Sequence, residues 1–206
     1  MTSSESSLPA GQNTDWSFQA EAVVGAGRGA LVLAISGSGW LSWGLVESQG
    51  FTSVVGPVFG CVGLLLVGAS IYTIRKGRLL RKLYPPIPLA TRRAIRRSFL
   101  LVFAIEIVAI VLVVALANRI HRNDLAAAWC AIVVGLHFVP LAKIFRAPIL
   151  GVLGVLIVLW SILCWAVFRR NIFLVPVAAG TGILLWAACV FAVLRARSMA
   201  RSLSNS

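Results

Sequence analysis

The chain is poor in charge. Only 12% of its 206 residues are Asp, Glu, Lys or Arg, while 59% are hydrophobic. A soluble domain carries about twice that charged fraction, so a single water-driven globular core is excluded. Acidic residues number six and histidines two. No acidic pair has metal-ligand spacing, and no HExxH, GxSxG or phosphate-binding glycine loop occurs. The sequence therefore implies no cofactor, no metal and no recognisable enzyme chemistry. The four cysteines are Cys61, Cys130, Cys164 and Cys189. All lie in apolar stretches and none forms a CxxC pair, which argues against a disulfide framework or a zinc site. They read as small buried apolar residues. The first residues also lack the basic start and short apolar core of a cleaved signal peptide.

What is present is apolar length. Six blocks stand out, at 29–46, 51–74, 98–118, 125–143, 148–168 and 172–194. Each is close to the ~20 residues needed to cross about 30 Å of hydrocarbon. Inside lipid the backbone must satisfy its own polar groups, which favours helices. The expected fold is all-α: a polytopic membrane protein with six transmembrane helices in three antiparallel hairpins. Residues 1–27 would form a flexible polar cytoplasmic tail, the alternative being a short interfacial helix at Asp15 to Glu21. Residues 28–197 would form the membrane domain, with a basic loop at 75–97. Residues 198–206 would form a second cytoplasmic tail.

The net charge of +13 does not point to nucleic acid, because the basic residues gather between the apolar blocks. Fifteen of the nineteen fall on one side of the expected membrane: Arg28, nine from Arg75 to Arg97, Lys143, Arg146, Arg195, Arg197 and Arg201. The other side holds Arg119, Arg122, Arg169 and Arg170. Lys and Arg accumulate in cytoplasmic loops, so both termini are expected in the cytoplasm.

In the basic loop, Arg75, Lys76, Arg78, Arg81 and Lys82 continue the second helix around Leu79, Leu80 and Leu83. Pro85, Pro86 and Pro88 then end helical structure, and Thr91 is placed to cap the helix that carries Arg92, Arg93, Arg96 and Arg97. These nine cations suit anionic lipid or a docking partner, although ordinary topology signalling and snorkelling account for most of such a cluster.

Two ionisable side chains fall deep in the apolar blocks, Glu106 and His137. Such residues are costly in hydrocarbon and usually face the bundle interior or a wet cavity. Glu106 lies about 12 Å, and His137 roughly 9 Å, from the basic side at 1.5 Å per residue. Consecutive helices would therefore bring them to one level, where pairing lowers the cost of burying either. Pro140 is expected to disturb the helix near the Leu136 carbonyl. Ser36, Ser38, Thr181 and Trp186 reach comparable depth and, with Pro140, are candidate pocket lining. The competing reading of the serines and nearby glycines is close helix packing.

The segment GLHFVPLAKIFR, Gly135 to Arg146, resembles one found in a group of uncharacterised bacterial multi-pass membrane proteins, which carry G-L-H-F-x-P-L-A. The resemblance implies a bacterial inner-membrane protein and a shared local structure around His137. It transfers no function. Two functional classes follow from the residues themselves, with a membrane-embedded enzyme third. One is a small transport or permeation protein centred on Glu106 and His137, working as a homo-oligomer because six short helices enclose little volume. The other is a membrane scaffold that binds lipid or a partner through the basic loop.

Overall fold

A computed structural model describes residues 10–48, 54–83, 89–122, 125–145, 147–167 and 174–204. Six helices account for nearly all of them: α1 Ala10–Glu47, α2 Val55–Arg81, α3 Leu89–Arg119, α4 Ala126–Ile144, α5 Pro148–Val167 and α6 Leu174–Ser204. All six are long and apolar enough to cross a membrane. Leu64 and Leu65 on α2 and Leu101 and Leu112 on α3 stay more than 60% exposed, as lipid-facing side chains do.

The helices pack in the order α2–α1–α6–α5–α4–α3, with α6 also meeting α2 and α4. Helices adjacent in sequence pack together except α2 and α3, but the packing does not divide into three separate hairpins. The most extensive seam joins α1 to α6, and α4 packs along α5 more fully than α5 along α6. Small residues explain these choices. On α1, a Cβ on Gly37 would strike the Trp186 ring, and one on Gly44 would lie 3.2 Å from the Ala178 Cβ. A Cβ on Gly27 would lie 2.9 Å from the Ile74 side chain of α2, and one on Gly77 would lie 2.9 Å from Val24. Such close backbone approach supplies dispersion contacts between the helices, the kind that small residues provide in membrane bundles.

The N-terminal segment departs from the sequence-based expectation. From Ala10 onward the chain is helical and continuous with the first apolar block, which makes α1 38 residues long, about 57 Å. Ala20, Val23 and Val24 are buried, and Ala20 and Val23 form a second small core with Ala196, Ala200 and Leu203 of α6. The spacing at 20, 23, 24 and 27 is that of one helix face. A three-helix stub of α1, α2 and α6 thus continues past the apolar blocks at the basic end. An Arg81–Glu21 contact of 3.5 Å ties α2 to α1 there.

α3 is the outlying helix. Its extensive contact is with α4 alone, and no residue of its most apolar 18-residue window is buried. It ends in a Schellman motif, in which Arg122 N–H donates to the Ala117 carbonyl at 2.8 Å and His121 N–H to that of Asn118 at 3.2 Å. His121 takes the left-handed conformation this requires, with φ 52°. α4 runs unbroken through Pro140, so the proline does not end the helix. Of the cysteines, Cys130, Cys164 and Cys189 are buried, while Cys61 is exposed on α2.

Candidate functional site at the α3–α4 seam

Glu106 and His137 meet between α3 and α4. Glu106 Oε2 lies 3.3 Å from His137 Nδ1, and the two side chains are only 12% and 9% exposed. The approach falls short of an aligned hydrogen bond, because Nδ1 has no partner within hydrogen-bond geometry. The imidazole also interacts with the backbone of Val102, one turn before Glu106. His137 therefore contacts α3 at two successive turns.

Aromatic rings surround this contact. Phe138 meets the imidazole edge-on, with centroids 5.7 Å apart. Toward the basic end, Phe99 stacks on Phe103 at 6.1 Å and meets Phe145 of α4 at 6.1 Å. Phe99 precedes Glu106 by two turns on the same face of α3. A phenyl cluster thus stands between the pair and the basic end of the seam. Few polar groups surround the pair, so the gain or loss of one proton would change a compensated pair into a lone charge in low dielectric.

The remaining candidate residues do not join this site. Ser36 lies on the exposed face of α1. Ser38 donates to the Ala34 carbonyl of its own helix at 2.8 Å. Trp186 Nε1 reaches the same carbonyl at 3.3 Å, and its ring lies 5.9 Å from Phe59. These are contacts of the α1–α2–α6 seam. Thr181 is fully buried on α6, and its hydroxyl has no partner among the described residues. Pro140 is half-buried on α4, within one turn of His137. Neither of the two cavities described is lined by any of these residues or by the Glu106–His137 pair. The larger, about 180 Å³, lies between α4 and α5 and is walled by Trp129, Ile132, Ser161 and Trp165 among others. Among the described residues, no group of three His, Cys, Asp or Glu is placed to hold a metal.

The basic residues separate into two sets. Arg75, Arg78 and Lys82 are exposed and Lys76 and Arg81 half-buried on α2, whereas Arg93, Arg96 and Arg97 are exposed on α3. These two helices share no extensive contact. Pro85, Pro86 and Pro88, and the side chains of Thr91 and Arg92, lie outside the described residues. So do Arg146 and the side chain of Asp15. Sequence reading missed the stub, whose signal was the helical spacing of small apolar residues on either side of Glu21.

No family model matches the chain, and no curated protein or solved structure matches it either. The fold and the seam thus define the class, an all-α protein with six helices able to span a membrane, and the resemblance at Gly135–Arg146 assigns no family.

Proposed function

We propose that the protein is a small transport or permeation protein of the bacterial inner membrane, with both termini in the cytoplasm and Glu106 and His137 as its proton-exchanging centre. The observation that carries this reading is the 3.3 Å contact between a carboxylate and an imidazole inside two apolar helices. Buried ionisable pairs in membrane helices commonly mark proton or ion pathways. Histidine is also the side chain whose unperturbed titration falls between pH 5 and 8. The outlying position of α3 supports a mechanism in which proton exchange at the pair loosens or tightens α3 against α4. Orientation is supported by the concentration of Lys and Arg on one side. A homo-oligomer suits the reading, because neither cavity described in the monomer reaches the pair.

Proteoliposomes carrying an internal pH dye test it. Glu106→Gln and His137→Ala variants that remain monodisperse should lose a pH-dependent flux shown by the parent chain. Flux that survives both substitutions overturns the assignment.

A second reading, a non-catalytic scaffold binding anionic lipid or a partner, is favoured by the absence of the pair from both described cavities and by the exposed cations of α2 and α3. It requires the same two variants to keep function, while neutralising Arg92, Arg93, Arg96 and Arg97 abolishes capture.

A further inference from the structure

At the base of the stub, α2 and α6 leave a shallow dimple over α1. Tyr72, Thr73 and Lys76 line it from α2, Ala196, Arg197 and Ala200 from α6, and Val23 from α1. Its volume of about 10 Å³ holds one water-sized group, the size of a single phosphate oxygen. Lys76 and Arg197 face it from opposite walls, and among the described residues neither has an acidic partner. Arg81, one turn further along the stub, is by contrast paired with Glu21. Tyr72 is 57% exposed, and its phenol adds a donor at the depth where tyrosines gather in membrane interfaces. Two turns toward the apolar blocks, on the same faces as Tyr72 and Arg197, are Leu65 and Val190, both exposed. An apolar strip therefore runs directly from the cationic dimple.

We infer that this dimple is a binding site for the phosphate of an anionic glycerophospholipid, with Lys76, Arg197 and Tyr72 on the headgroup and an acyl chain along Leu65 and Val190. The inference rests on the reading that these helices span a bilayer and goes beyond the scaffold one, whose test lies in the cations of α3. Basic pockets between helices at the cytoplasmic side are suited to such headgroups. The adjoining strip selects a lipid over free phosphate, since inorganic phosphate has nothing to place there. The site lies on the far side of α6 from the α3–α4 seam and needs no proton exchange at Glu106.

Native mass spectrometry of the detergent-purified full chain provides the test, with phosphatidylglycerol, phosphatidylcholine and inorganic phosphate as probes. The parent chain should bind phosphatidylglycerol in clear preference to phosphatidylcholine. The double variant Lys76→Gln/Arg197→Gln should weaken that binding roughly 25-fold, on the scale of about fivefold per cation. Tyr72→Phe should weaken it less, and Lys76→Arg/Arg197→Lys should retain it, which separates loss of charge from misfolding. The charge-matched control Arg28→Gln/Lys143→Gln, at exposed positions on α1 and α4, should leave it nearly unchanged. Equal loss in the control overturns the site in favour of diffuse attraction. Displacement by millimolar inorganic phosphate, or no preference for the anionic lipid, overturns it as well. Glu106→Gln should bind as the parent does, so failure of the transport reading and failure of this site are separately visible.

Discussion

Gly135 and Gly154 bring the backbones of α4 and α5 into direct contact: a methyl group on Gly154 would overlap the carbonyl oxygen of Gly135. The obstacle is main chain, not a flexible side chain, so a whole helix must move to relieve it. Gly135 is two residues from His137, and this contact therefore also sets where α4 presents its imidazole. Gly154→Ala should lower stability by about 1–3 kcal/mol, the range for overpacking a close contact. Gly39→Ala, with nothing within 4 Å of its added methyl, should not. Thermal unfolding in detergent, followed by loss of the monodisperse peak, distinguishes the two.

The seam between α3 and α4 should show measurable coupling. A double-mutant cycle of Glu106→Gln and His137→Asn should give an interaction energy near 0.6 kcal/mol and at most about 1.7 kcal/mol, as for other polar contacts between membrane helices. Each single variant should cost more than the coupling itself, because it strands the remaining partner in a dry site. A coupling of zero in reversible unfolding would show that the two groups titrate independently.

His121 closes α3 in a conformation that side chains other than glycine adopt at a cost. His121→Gly should therefore raise stability by up to about 1 kcal/mol, less the entropy that glycine adds to the unfolded chain. His121→Val should lower it. The comparison can be read from unfolding midpoints at equal detergent concentration.

The stub predicts a pattern of thiol reactivity. In a background lacking Cys61, Cys130, Cys164 and Cys189, a cysteine at the buried Val23 should resist maleimide, while one at the exposed Ala22 should react readily. Equal reactivity at both would mean that this part of α1 is not packed against α6.

The six long apolar helices were legible because crossing lipid would demand a length and an apolarity that composition reveals directly. The meeting of Glu106 and His137 was also open to reasoning, since depth follows from counting residues along two consecutive helices. The partners of Ser38 and Trp186 were not. Depth places a residue along the bundle axis but says nothing about azimuth, and these side chains turned out to face α1, α2 and α6. The helical course of residues 10–28 was obscured for another reason. Polar side chains and glycines interrupt its apolar residues, and only the helical spacing of positions 20, 23, 24 and 27 records the face that packs.

The α1–α6 seam carries a consequence for assembly. Its facing positions, such as Ala20 and Ala200 or Gly37 and Gly182, lie far apart along the chain. A ribosome delivers the first of these spans long before the last, so the bundle cannot mature by adding finished pairs of helices in turn. α1 must wait with its glycine-rich face lacking its final partner, and the structure locks when α6 arrives.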